Sequence, residues 1–161
     1  MLETIPIWFW IFFTSMIPWW ESRYAIPMAI LYFNWEWWQA TPLAVLGNML
    51  PIPFILLFFH YAEKFLRNYK FWTKILDWLF ARTQKRADVK IKRYEYLGLL
   101  FFVAIPLPFT GAWTGALISY LFNLKFSKSL LTIFLGVLIA AAIMIIVTLF
   151  FGNIFGFKFN G

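Results

Sequence analysis

Cysteine is absent from the 161 residues, which removes disulfides and thiolate metal sites and leaves the redox compartment undetermined. Histidine occurs once, at position 60, with no acid pair in reach, no phosphate-cradling glycine loop and no metal-ligand spacing around it. The expectation is therefore no enzyme, no catalytic residue, no metal and no cofactor. Charge is the third scarcity: 13% of the residues are charged, 63% are hydrophobic and 24% aromatic, against about 25% charged in soluble domains. That balance excludes an ordinary soluble globular protein and points to an all-α integral membrane protein. The length leaves room for a single membrane domain, 1–161. The start, Met-Leu-Glu-Thr, has no basic n-region and no small-x-small cleavage site follows, so it is expected to be mature sequence and not a signal peptide.

Two segments are long enough to cross a bilayer. Residues 129–151 run for 23 positions without a charge and residues 40–59 for 20, where about 20 are needed. The remaining apolar segments are too short: residues 24–33 and 112–122 are ten and eleven long, roughly 15–17 Å as helix against a core of about 30 Å. Each follows another apolar arm, 5–20 and 96–105, and each pair of arms is joined by a polar stretch, Glu21-Ser-Arg-Tyr-Ala-Ile-Pro27 and Ile105-Pro-Leu-Pro-Phe-Thr-Gly-Ala-Trp-Thr-Gly115. Such stretches persist in lipid only where protein packs around them or they line a polar cavity. The economical path is a re-entrant hairpin that enters to mid-depth, turns and returns.

The order then repeats. Repeat 1 covers 1–60, with a hairpin tip near 18–27 and a span at 40–59; repeat 2 covers 96–161, with a tip near 105–115 and a span at 129–151. An offset of 89 residues lays Phe33-Asn34 on Phe122-Asn123 and Leu46-Gly47 on Leu135-Gly136. A hairpin keeps its side and a span changes it, so the repeats are expected to be inverted, as in many secondary transporters. Between them, residues 61–95 read as a basic amphipathic helical linker: Phe65, Leu66, Tyr69, Trp72, Ile75, Leu76, Leu79 and Phe80 recur at three and four residue spacing among lysines and arginines. That linker and the turn at 123–128 hold twelve of the fourteen basic residues. The positive-inside rule makes their face cytoplasmic and both termini external, in a multi-pass plasma membrane protein. Four conventional spans are the alternative, and they need the short arms stretched well past their length. Membrane charge placement explains the net charge of +7, so no nucleic-acid partner is expected.

The breaker stretches also carry a resemblance. Glu-x-Arg-x-Ala-Ile-Pro at 21–27 and Pro-Leu-Pro-Phe-Thr-Gly-Ala-Trp-Thr-Gly at 106–115 resemble the putative small multidrug export family, a prokaryotic relative of the DedA (SNARE-associated, VTT) membrane proteins. The resemblance implies two opposed re-entrant hairpins and a transport role, either proton-coupled efflux or translocation of polyprenyl-phosphate or other lipids. It matches Glu21 and Arg23 to the membrane carboxylate and arginine of those relatives. The second tip departs from the pattern, with Thr110 and Trp113 and no arginine.

Each residue has a functional and a structural reading. Glu21 is expected at depth as a proton site, its alternative being an interfacial residue with Trp19 and Trp20 as its aromatic belt. Arg23 holds an anionic group or serves as counter-charge to Glu21; residues two apart do not face each other on a helix, so their pairing needs a turn. Thr110, opposite Glu21 in the offset, binds cargo or caps freed backbone, and Trp113 covers the cavity or packs the tip. Asn48 lines the pathway or bonds a neighbouring helix, in a span that Pro51 and Pro53 should kink. Pro27, Pro106, Pro108, Gly111 and Gly115 are expected to shape the tips. Gly136 and Ala140 suit close helix packing, within the protomer or in a homo-oligomer. The reading is a transporter, expected to be proton-coupled, whose partners are membrane lipids, protons and a small amphipathic or lipid-phosphate substrate. Its rivals are a lipid scramblase or flippase and a non-transporting membrane scaffold.

Overall fold

The computed structural model describes residues 6–66, 89–107 and 110–154. Seven helices make up the described residues: α1 (Ile7–Met16), α2 (Glu21–Leu31), α3 (Trp37–Met49), α4 (Pro51–Leu66), α5 (Val89–Ala104), α6 (Ala112–Leu121) and α7 (Phe126–Ile154). Among the described residues two stretches are long and apolar enough to cross a membrane, Trp37–Phe59 and Phe126–Ile154, while the apolar helices Ile7–Met16 and Tyr94–Ala104 are shorter.

Proline sets most of the helix ends. Ile17 precedes Pro18 and is held extended (ψ 130°), which stops α1 at Met16. Residues 17–20 turn the chain, and the Glu21 N–H donates to Ile17 O at 3.0 Å. Pro106 stops α5 in the same way after Ala104. Pro51 and Pro53 have no N–H to give the carbonyls of Gly47 and Met49, so the hydrogen-bond ladder is interrupted between α3 and α4 at Leu50, whose backbone keeps helical angles (φ −56°, ψ −46°). In contrast, α7 contains neither proline nor a break and runs 29 residues, about 43 Å at 1.5 Å per residue.

Several expected boundaries move. The first turn is 17–20, so Glu21 heads α2 and Pro27 lies inside that helix, seventh of its eleven residues, and not at a tip; having no N–H, it leaves the Arg23 carbonyl without a helical donor. Gly115 likewise lies within α6. The linker loses both ends: 61–66 continue α4 and 89–95 begin α5, because no proline or glycine interrupts either stretch, and 67–88 fall outside the described residues. The second span reaches from Phe126 to Ile154, three residues beyond each expected end, since lysines and small polar residues continue a helix at no great cost.

The core is built from small residues that let helices approach. Ala25, Ala29, Ala40, Ala44, Ala112, Ala116, Ala140 and Ala141 are all buried, while large side chains such as Phe54, Phe58, Ile146 and Phe150 face outward, as expected where the solvent is lipid. A Cβ on Gly47 meets the Phe12 carbonyl of α1 and, on Gly136, meets Val103 Cβ of α5 at 2.7 Å. These two glycines are 89 positions apart, and each presses its helix onto the first helix of its own half. Gly136 is thus used within the protomer, where Ala140 is also buried. Asn34 and Asn123, also 89 apart, share the left-handed backbone at φ 51° that ends α2 and α6. The buried stripes of those helices, Ser22, Ala25, Ile26 and Ala29 against Ala112, Gly115, Ala116 and Ser119, correspond at an offset of 90. The difference of one is absorbed at the helix ends: Leu124 N–H bonds Ser119 O five residues back, as in a Schellman motif, and Trp35 N–H bonds Ala29 O six back. Packing also crosses between the halves, α2 against α7 and α6 against α4.

Candidate functional site at the two joints

The segments joining α1 to α2 and α5 to α6 lie against each other. They will be called the first and second joint. Four buried hydroxyls elsewhere turn back onto backbone four residues earlier: Thr14 on Trp10 O, Ser15 on Ile11 O, Ser129 on Lys125 O and Thr148 on Met144 O. The polar groups at the joints bond across elements instead.

Glu21 has φ 47°, a left-handed conformation that costs a long side chain roughly 1–2 kcal/mol. The bend turns its buried carboxylate away from α2 and onto the start of α6. There it accepts the backbone N–H groups of Ala112 and Trp113 and the side-chain amide of Asn48. Gly111, the N-cap of α6, has no side chain to cap with; the cap comes from Glu21, ninety residues earlier. A Cβ at Gly111 would overlap both carboxylate oxygens, so glycine here makes room for the carboxylate. An anion at a helix N-terminus is favoured by the free N–H groups and by the dipole.

Arg23 makes the complementary contact. Its Nη1 donates to Leu107 O at 2.6 Å and to Thr110 Oγ1 at 2.9 Å, and its Nη2 to Val103 O at 3.0 Å. A cation therefore closes the carbonyl end of α5, where the dipole favours it. Its Nε lies 4.0 Å from Glu21 Oε2, a pairing across two residues that the bend at Glu21 permits. The second joint returns one such bond: Trp113 Nε1 donates to Met16 O, at the carbonyl end of α1, at 3.2 Å. Each joint thus supplies a donor to the last carbonyls of the other half's first helix.

An open cavity of about 820 Å³ lies between the joints, with Glu21, Arg23, Thr110, Trp113, Pro27 and Pro106 in its wall. Trp19, Trp20, Tyr24 and Met144 of α7 complete much of its surface. Thr110 meets Arg23 and not Glu21, and its hydroxyl also lies 2.8 Å from Ile105 O and from Leu107 O. Asn48 is behind the cavity, 1% exposed, bonding Ser22 Oγ at 3.2 Å and Glu21. Gly111 and Gly115 are also outside the lining; a Cβ on Gly115 would meet Val103 at 2.6 Å, so its role is the crossing of α5 and α6. Pro108 lies outside the described residues.

Sequence reasoning passed over Ser22 and Met144. Ser22 could have been found, since it sits between Glu21 and Arg23 on the face that α2 buries. Met144 carries no local signal, being one apolar residue among many on α7.

A family model described as putative small multi-drug export protein matches residues 21–143, more than half of the chain. The matched region starts at Glu21, just after the first joint, and contains Arg23 and the whole of the second joint. No curated protein and no solved structure matches the chain.

Proposed function

This chain belongs to the putative small multi-drug export protein family, and on that premise we propose that it is a proton-coupled membrane transporter, without chemistry of its own, for a small amphipathic or lipid-like substrate. The observation that carries the reading is the cavity between the joints, walled by both halves of the chain and holding an ionisable pair, Glu21 and Arg23, in its wall. Ionisable residues are expensive within a bilayer and cluster on transport pathways.

Glu21 is the proton site in this proposal. Ionised, it makes charge-assisted bonds to the start of α6 and to Asn48; neutral, its bonds are weaker and the joints part more readily. Proton uptake on one side and release on the other then alternates access to the cavity. The joints are the tips of two re-entrant hairpins in an inverted repeat, kin to the DedA proteins, with the basic residues cytoplasmic and both termini outside. Support comes from the left-handed asparagines at 34 and 123, the close-packed glycines at 47 and 136, and the reciprocal donors Arg23 and Trp113. The scramblase reading is less well supported, because three bonds to Val103, Leu107 and Thr110 commit the guanidinium that a phosphate would need.

Purified protein in proteoliposomes tests the proposal. A pH gradient should drive accumulation of an amphipathic dye such as ethidium, and Glu21→Gln should abolish accumulation while the protein still folds and inserts. Equal accumulation by the glutamine variant, with unchanged pH dependence, sinks proton coupling. Flipping of a fluorescent phosphatidylglycerol, indifferent to the gradient, would restore the scramblase reading, and inertness of every joint variant would leave the scaffold.

A further inference from the structure

Asn48 is buried, donates through Nδ2 to Ser22 Oγ at 3.2 Å and to the Glu21 carboxylate, and leaves its Oδ1 with no hydrogen-bond partner. The amide oxygen is thus a buried acceptor without a partner on the residue that already bonds the Glu21 carboxylate, and a proton on Glu21 would supply the donor it lacks. Asn48 is also the penultimate residue of α3, just before the break at Leu50, where the prolines leave the carbonyls of Gly47 and Met49 without helical donors. Gly47, its neighbour, is pressed on the Phe12 carbonyl. A change in the Asn48 amide therefore cannot be absorbed by sliding α3 toward α1, and the weakened helix at Leu50 is the nearest place to yield.

We propose that Asn48 is a positioning residue that reports the protonation state of Glu21 to the α3–α4 break, its Oδ1 taking the proton-bearing oxygen of the neutral acid and its amide reorienting as it does so. The proposal rests on the proton role of Glu21 given above. The other charged group facing Glu21 is Arg23, on its own helix. Neither α1 nor α3 contains an ionisable side chain. The ionisable residue of α7 is Lys128, sixteen positions from the cavity residue Met144 and so about 24 Å away along the helix; that of α6 is Tyr120, at its far end. Tyr24 also stands in the cavity wall and Glu95 lies on α5, nine residues before its end at Ala104, so loss of the response in Glu21→Gln is what assigns the titration to Glu21.

The chain has no cysteine, so Leu50→Cys, at a half-exposed position, takes a single bimane label. In proteoliposomes the label should report a pH-dependent change that Glu21→Gln removes. Asn48→Leu should cut that change at least fivefold while a pH indicator still registers proton uptake. Asn48→Asp, which sets a second carboxylate beside Glu21, should move the midpoint to a proton concentration at least tenfold lower, because like charges share a proton more tightly. An unaltered label response in Asn48→Leu overturns the proposal, as does proton uptake in the parent with no response at Leu50. Should Asn48→Leu fail to fold, the midpoint of Asn48→Asp decides: a shift supports the proposal and an unmoved midpoint overturns it. Absence of proton uptake in the parent is a different result, which removes the proton role of Glu21 and this inference with it.

Discussion

The first joint meets the second with side chains, and the second meets the first mostly with backbone. Glu21 and Arg23 reach across to the amide end of α6 and the carbonyl end of α5, while the second joint offers N–H groups, carbonyls, the Thr110 hydroxyl and one indole. Both joints face the same physical problem, helix ends with unpaired groups inside an apolar protein. The first solves it for both by carrying an anion and a cation two residues apart, and the strained backbone at Glu21 aims them at opposite helix ends. Charge at the site is therefore one-sided: the second joint, 105–111, carries no ionisable side chain of its own.

The largest effect should come from removing the room the second joint makes for the first. Gly111→Ala puts a methyl group on the carboxylate oxygens and should displace Glu21 from its cap, costing about 3 kcal/mol of stability and most transport. Shortening Glu21 to alanine in the same protein should recover part of that loss, since the clash goes with the carboxyl group. Thermal melting of the four proteins in detergent measures the coupling; additive losses would mean that the two residues do not meet.

Next in size is Arg23→Lys. An ammonium keeps the charge but cannot reach Val103 O, Leu107 O and Thr110 with one planar fork, so a loss of about 2 kcal/mol is expected. If lysine matches arginine in melting and in transport, the cross-brace is a point charge and the contrast between the joints weakens. Trp113→Phe removes the single reciprocal bond to Met16 O while keeping the ring's bulk, for about 1 kcal/mol. A loss as large as that of Arg23→Lys would show the two braces to be equal partners.

How much of this could be read in advance follows the same division between local and crossed contacts. The spans were legible because charge-free length needs no partner to interpret, and the second joint because Pro106 and Gly111 interrupt apolar sequence on their own; the first was read from Glu21 to Pro27, whereas the chain turns at 17–20. Pro27 was misplaced because a proline seven residues into a helix looks, in sequence, like one that ends it. The start of α5 at Val89 was hidden by basic residues that a surface helix and a membrane helix end share. Glu21 and Arg23 were recognisable as unusual, but not their targets: a cap is ordinarily local, whereas this one joins residues 21 and 111, and only the folded chain brings them together. Asn48 was read as bonding a neighbouring helix, and it bonds Ser22; that its neighbour also carries Glu21 needed the structure.

The smallest effects test whether the halves that carry these unlike joints are otherwise equivalent. Asn34 and Asn123 share φ 51°, a conformation that asparagine tolerates, glycine adopts freely and alanine resists. Glycine at either site should be neutral to within about 0.5 kcal/mol, and alanine should cost about 1 kcal/mol. The informative quantity is the difference between sites. Asn123 sits in the tighter closure, with Leu124 N–H bonded five residues back and Asn123 N–H bonded to Tyr120 O, whereas after Asn34 the return bond spans six. If the halves are built alike apart from the one extra residue in that closure, the alanine costs at 34 and 123 should agree to within about 0.5 kcal/mol, the slightly larger one at 123. A full cost at one site and none at the other would show that only one of these turns is held by the surrounding helices, and the equivalence of the two halves, with the inverted repeat that rests on it, would have to be given up.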